Sequence, residues 1–103
     1  MHNLSLIIPV FNEAQNLPIL FESIQQTLET FDCLWEVIFV DDGSRDNSFE
    51  VLKSLAEKDE EHVRVVVFRR NFGQTAAITA GIDHAHGETI VLLDADLQND
   101  PAD

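Results

Sequence analysis

Residues 37–44 read Val-Ile-Phe-Val-Asp-Asp-Gly-Ser. Four consecutive apolar side chains with no polar alternate suit a strand buried on both faces. The run then stops on two carboxylates, a glycine and a hydroxyl, all residue types that favour tight turns. The same unit recurs along the chain. Runs rich in Val, Ile, Leu and Phe occupy 4–10, 36–40, 63–68 and 89–93, and each gives way to a polar cluster: "PVFNE" at 9–13, "DDGS" at 41–44, "RRNFG" at 69–73 and "DADLQ" at 94–98. All four strands are expected to be buried on both faces.

Helical periodicity fills the gaps between these runs. Leu17, Leu20, Phe21, Ile24 and Leu28 follow the i, i+3, i+4 rule, with Asn16 placed to cap the helix and Pro18 in its first turn, where a missing N–H costs nothing. A second helix is predicted over 47–58, burying Phe49, Leu52, Leu55 and Ala56. The third segment, "QTAAITAGIDHAHG", carries Ala76, Ala77, Ala80 and Gly81, small residues that let a helix press closely on a sheet, with Gly87 expected just past its end. The alternation β-α-β-α-β-α-β predicts an α/β fold: a Rossmann-like, mostly parallel sheet with helices on both faces, which binds ligands at the carboxyl ends of its strands.

Composition narrows the function. A chain of 103 residues makes one compact unit. Its net charge of −13, from 19 acidic and 6 basic residues, excludes nucleic acid as the main partner, because neutralising phosphates needs a basic face. A phosphorylated ligand would need a cation between itself and the carboxylates. One cysteine, Cys33, offers neither an internal disulfide nor a thiolate metal cluster, and fits a cytoplasmic setting. His2, His62, His84 and His86 read as surface or helix-end residues rather than ligands. The apolar runs are far shorter than the roughly 20 residues that cross a bilayer, and no signal-peptide pattern is present.

The strand-end clusters carry the chemistry. In an extended segment Asp94, Asp96 and Gln98 share a side, so two carboxylates and an amide oxygen can converge on one hard cation such as Mg²⁺ or Mn²⁺; the alternative is a solvated turn of acidic residues closed by Pro101. Asp41 and Asp42 point in different directions: one is free to face a ligand while the other caps the turn, and capping by both accounts for the stretch equally well. Pro9 donates no ladder hydrogen bond and is expected to mark a strand end or a bulge. Phe11 and Glu13 then serve either to cover a flat base and bind a polar edge, or as a core aromatic and a helix-start acid. Arg69 and Arg70 could meet an anionic phosphate, but are expected rather to pair with nearby carboxylates. Glycine-rich phosphate loops and nucleophile elbows are missing from the sequence.

Together and in this order, "IIPVFNE", "VDDGSRD", "RRNFGQTAAITAG" and "LLDADLQNDP" resemble the nucleotide-binding half of family 2 glycosyltransferases of the GT-A fold, most closely the polyprenyl-phosphate glycosyltransferases. The resemblance covers essentially the whole chain. It implies a nucleotide diphosphate sugar as donor, Mg²⁺ or Mn²⁺ as cofactor and a polyprenyl phosphate as acceptor. By the same resemblance Pro9, Phe11, Glu13, Val40 and Asp42 line the nucleotide pocket, Asp94, Ala95 and Asp96 contact the diphosphate and its ion, Gln98 is a further metal ligand, and Asp96 is the catalytic member of the set. It also implies inverting transfer, with the acceptor phosphate already ionised and needing no strong base.

Family members continue past this point into an acceptor-binding half, often with membrane-anchoring helices. Residues 1–103 are therefore expected to be the donor-binding part of a longer enzyme at the cytoplasmic face of a membrane, unable to transfer sugar alone. A homo-oligomer is left open. Two other classes fit some of the same residues: a phosphoacceptor receiver domain, which also gathers aspartates and Mg²⁺ at strand ends, and a catalytically silent GT-A-like binding module.

Overall fold

A computed structural model describes residues 3–95. Its elements are β1 (Asn3–Val10), α1 (Leu17–Leu28), β2 (Leu34–Asp41), α2 (Ser48–Lys58), β3 (Val63–Val67), α3 (Gln74–His84) and β4 (Thr89–Leu92). The strands form one sheet in the order β3-β2-β1-β4, and every pairing is parallel. This is the predicted α/β architecture.

Side-chain parity on the two central strands separates the layers. Leu6, Ile8 and Val10 of β1 and Trp35, Val37 and Phe39 of β2 join Leu17, Phe21, Ile24 and Leu28 of α1 and Leu52 and Leu55 of α2 in one core. Phe21 and Phe39 meet edge to face, with ring centroids 6.4 Å apart. The alternate residues Ile38 and Val40 pack with Ala77 of α3 on the other face. Here the small residues matter as expected: a Cβ on Gly81 would lie 2.4 Å from Ile7 Cγ2, so only glycine lets α3 sit this close.

Burial on both faces holds for β1 and β2, but not for the outer strands. β4 is exposed along its length, because it is a sheet edge paired only with β1 and α3 lies over β1 and β2 instead. β3 is only partly buried. Phe49 is 42% exposed, not core: by helix geometry it stands at the flank of the stripe formed by Ser48, Leu52 and Leu55, which carry the burial. Asn16 precedes α1 without a side-chain cap; its amide instead donates to Glu13 Oε2 at 2.7 Å. α3 ends at His84, and Ala85 is already extended, so Gly87 does not terminate the helix. Gly87 is small because a Cβ there would stand 2.6 Å from Ser5 Oγ.

That contact belongs to a buried polar network at the amino end of the sheet. Ser5 Oγ donates to Glu36 Oε2 at 2.7 Å and accepts the Gly87 N–H at 2.8 Å. The His86 N–H donates to the same Glu36 oxygen at 2.7 Å, and His86 Nδ1 lies 3.4 Å from the other. Burial pushes the Glu36 carboxyl up, but the Ser5 hydroxyl, the His86 N–H and the His86 ring together hold it below the ordinary glutamate range. A carboxylate depressed in the folded state stabilises fully above its unfolded pKa, about 4.3, and loses that contribution as pH falls through the folded value. Glu36→Gln should therefore cost about 1–3 kcal/mol at pH 7, and the gap between variant and parent in urea denaturation should narrow as the pH is lowered from 6 to 3.

Candidate functional site

Chain order decides where a ligand can enter. From β1 the chain moves outward through β2 to β3, and then crosses back to place β4 on the far side of β1. In parallel α/β sheets the crevice at such a reversal, at the carboxyl ends of the strands, is where ligands bind. Here it lies between the ends of β1 and β4. A recess of about 150 Å³ opens there, lined by Pro9, Val10, Phe11 and Glu13 from β1 and its loop and by Asp94 and Ala95 after β4. Asp42 after β2 and Gln74 at the start of α3 complete it.

Pro9 helps to open the recess. It is neither a strand end nor a bulge, since β1 runs on in register with Pro9 opposite Val40 and Val10 opposite Asp41. Along a parallel strand, successive residues turn their N–H and C=O to alternate neighbours. The Ile7 carbonyl accepts from Leu93 and the Val10 carbonyl from Asp42, so Pro9, like Ile7, faces β4. Its missing N–H is where the β1–β4 ladder stops, and β4 ends at Leu92. The chain is then released, with Ala95 turned into the core beside α1 and Asp94 lining the recess.

The two aspartates at the end of β2, Asp41 as its last residue and Asp42 just past it, divide the work by parity. Asp41, on the α1 and α2 face, accepts the Ser44 N–H at 2.9 Å and closes the turn. Asp42 lies on the α3 face and accepts three donors from the segment before that helix: the Phe72 N–H at 2.7 Å, the Gly73 N–H at 3.0 Å and Asn71 Nδ2 at 2.9 Å. Both carboxylates are almost fully buried. Gly43, with φ of 73°, lets segment 70–71 lie against this turn; a Cβ would meet the Arg70 carbonyl carbon at 2.3 Å. Asp42 thus both borders the recess and anchors the segment that leads into Gln74 on its lining.

A second clasp joins the β1 and β2 loops. Asn12 takes the left-handed conformation at φ 56°, which asparagine tolerates better than most residues. Its Oδ1 accepts the Arg45 N–H at 2.8 Å, while its own N–H donates to Ser44 Oγ at 2.9 Å. The Glu13 N–H donates to Ser48 Oγ at 3.1 Å, and Asp46 accepts from the Ala14 N–H and from the Ser48 hydroxyl at 2.6 Å. Slight burial raises the Asp46 pKa, but the Ser48 hydroxyl and the surrounding N–H groups lower it overall. Phe11 is left 43% exposed over the recess, and Glu13 stands at its rim.

Of the residues expected to bind nucleotide, the structure brings Pro9, Phe11, Glu13, Asp42, Asp94 and Ala95 to one place. Val40 is fully buried with Ile38 and Ala77, supporting the floor beneath. Asp96 and Gln98 lie outside the described residues. The donors that the described recess offers a cation are oxygens, the type that hard divalent ions take. Among the described residues no three side chains form a complete metal cluster. Gln74 and Val10 escaped sequence reading, since nothing in "GQTAA" separates a recess-lining glutamine from a helix-surface one.

Arg69 and Arg70 are exposed, and among the described residues neither makes the expected salt bridge. Arg70 instead lies over the Phe72 ring, 4.7 Å from its centroid. The nearest strand-end carboxylate, Asp42, is already occupied by N–H donors. Of the histidines, His62 stacks on Trp35 at 3.8 Å and contacts Asp59 at 3.0 Å, His84 Nδ1 is 2.8 Å from the Ala80 carbonyl, and His2 lies outside the described residues. A larger hollow of about 450 Å³ opens at the opposite, amino edge beside Trp35, His62 and Arg64. It sits far from the strand-end acids, so we place the site at the smaller recess.

Asp42→Ala should lower stability by about 2 kcal/mol in urea, because it leaves the Phe72 and Gly73 N–H groups without their acceptor and Asn71 Nδ2 with the Asp42 carbonyl alone. A residue serving only as a ligand contact would show no such loss.

A family model described as "Glycosyl transferase family 2" matches residues 5–103. Undecaprenyl-phosphate 4-deoxy-4-formamido-L-arabinose transferase from Pectobacterium atrosepticum is 46% identical over 99 residues, covering 96% of this chain and 30% of its own length. The enzyme of the same name from Pseudomonas fluorescens is 44% identical over 101 residues, covering 98% and 30%. The chain therefore spans about 30% of the length of these curated relatives. Among solved structures, the mannosyltransferase PcManGT from Pyrobaculum calidifontis, in complex with GDP-Man and Mn²⁺, superposes with a TM-score of 0.79 at 27% identity, over 90% of this chain and 27% of that one. TarS 1–349 from S. aureus, in complex with UDP-GlcNAc, gives 0.76 at 22% identity over 91% and 26%, a likeness of fold.

Proposed function

The chain belongs to glycosyl transferase family 2, and on that premise we propose that it is the donor-binding part of an inverting enzyme that moves a sugar from a nucleoside diphosphate to a polyprenyl phosphate. The observation that carries this reading is the gathering of Pro9, Phe11, Glu13, Asp42 and Asp94, from three different strand ends, around one recess at the reversal of the sheet. The names of its relatives supply the acceptor class, and the GDP-Man and Mn²⁺ of PcManGT supply the donor and metal class. The family match leaves the receiver-domain alternative without support.

In this reading each part of the recess has a task. The exposed ring of Phe11 covers the flat base, and Glu13 binds a polar group of the nucleoside. Asp42 borders the nucleotide and keeps segment 71–73, just before Gln74, folded. Asp94, with Asp96 and Gln98, would hold Mg²⁺ or Mn²⁺, and Asp96 carries the catalytic role. When bound, the ion supplies positive charge against the departing diphosphate. The acceptor's phosphate oxygen forms the new bond to the anomeric carbon while the bond to the nucleoside diphosphate breaks, its electron pair leaving with the phosphate.

In this reading the acceptor is anchored in a lipid layer, and the reaction runs at the cytoplasmic face of a membrane. Among the described residues no helix is long and apolar enough to cross one.

Thermal shift with UDP, GDP and their sugars, with and without Mn²⁺, tests the site. One nucleotide series should raise the melting temperature by several degrees, since about 1 kcal/mol moves a domain of this size by about 4–8 °C, and only when Mn²⁺ is present. Asp94→Ala and Asp96→Ala should each abolish the shift. Stabilisation that needs no metal and survives both changes would sink the assignment.

A further inference from the structure

We propose that Asn16 is a positioning residue for nucleotide binding: its side-chain amide holds one oxygen of the Glu13 carboxylate and leaves the other to accept a donor group of the nucleoside. This deepens the donor-site reading above and rests on it. Asn16 stands where a helix cap belongs, directly before α1, and asparagine is among the best capping residues. It makes no such bond. Its backbone is already helical, at φ −87° and ψ −21°, whereas a capping residue is normally extended. The side chain instead donates from Nδ2 to Glu13 Oε2 at 2.7 Å.

Both backbone groups of Glu13 are held as well. Its N–H donates to Ser48 Oγ at 3.1 Å, and its carbonyl accepts the Asn16 N–H at 3.0 Å and the Leu17 N–H at 3.2 Å. With the backbone fixed, the freedom left is in the long side chain, and ordering it costs entropy. The bond to Asn16 removes that freedom before a ligand arrives, which is how preorganisation raises affinity.

Glu13 stands between two openings. It lines the recess, and it also lines a hollow of about 310 Å³ that takes in Asn16, Asn12 and Asp46. Oε2 is tied to Asn16 on the side of that hollow, while among the described residues Oε1 has no partner. Oε1 is thus the oxygen available to the recess. A carboxylate accepts hydrogen bonds and does not donate them, so its partner on the nucleoside is a donor, either a ribose hydroxyl or an N–H of the base.

Calorimetric titrations of UDP, GDP and inorganic pyrophosphate, each with Mn²⁺, should be run on the parent chain, Asn16→Ser, Asn16→Asp, Glu13→Ala and Glu13→Ala combined with Asn16→Ser. Serine and aspartate both cap helices well, so these variants remove the amide without spoiling the start of α1. Asn16→Ser should weaken the preferred nucleotide about threefold to tenfold, and Asn16→Asp, which sets a second carboxylate against Glu13, at least as much. Pyrophosphate should stay within about twofold, and in the Glu13→Ala background Asn16→Ser should cost nothing further, because its effect passes through that carboxylate. The 2′-deoxy and 3′-deoxy nucleotides locate the donor: a loss abolished in one of them assigns it to that hydroxyl, and a loss kept in both assigns it to the base, each outcome supporting the role. Unchanged nucleotide affinity in both Asn16 variants overturns the proposal. So does a loss that pyrophosphate shares, or one that persists in full without Glu13, either of which would make Asn16 a support of the loop alone. A parent chain that binds neither nucleotide with Mn²⁺ overturns the donor site itself, and this inference with it.

Discussion

Strand β2 carries a carboxylate at each end of one face, and α3 is held between them. Glu36 takes the His86 N–H just past the helix, while Asp42 takes the Phe72 and Gly73 N–H groups just before it. Six residues of strand span about 20 Å, and eleven residues of helix about 16 Å, so the helix and its two flanking turns fit the interval. Ala77 and Gly81 then bring it down onto Ile38, Val40 and Ile7. Both acids reach this face because they are an even number of residues apart.

That bracing fixes one side of the recess; backbone hydrogen bonding fixes the other. Where Pro9 faces the β4 edge it has no N–H to give, so the strands part and the chain beyond Leu93 is free to turn. The loops above are tied by Asn12, Asp46 and Ser48, which join the ends of β1 and β2. The recess is thus a product of where the ladder ends and which loops are clasped, more than of any large cavity.

Much of this was legible in the residues. The four apolar runs and their polar ends gave the sheet and the edge that carries the chemistry, and Asp41 and Asp42 could be assigned opposite faces from their adjacency. Other features were hidden because they depend on partners distant in sequence. Phe49 looked like core by helical period, but the buried stripe of α2 is centred on Ser48, Leu52 and Leu55 and leaves it at the margin. Gly87 looked like a helix stop, yet Ser5 dictates its size from 82 residues away. Gln74 could be seen only once α3 had been placed beside Asp42, and the Pro9 effect only once its neighbour on each side was known.

Trp35 is the chain's one tryptophan, and it lies stacked on His62 at the amino end of the sheet. The recess is at the other end of the strands. The indole's fluorescence consequently reports on the core and on that stacked pair. The chain carries an internal optical probe of folding at the end of the sheet opposite the candidate site.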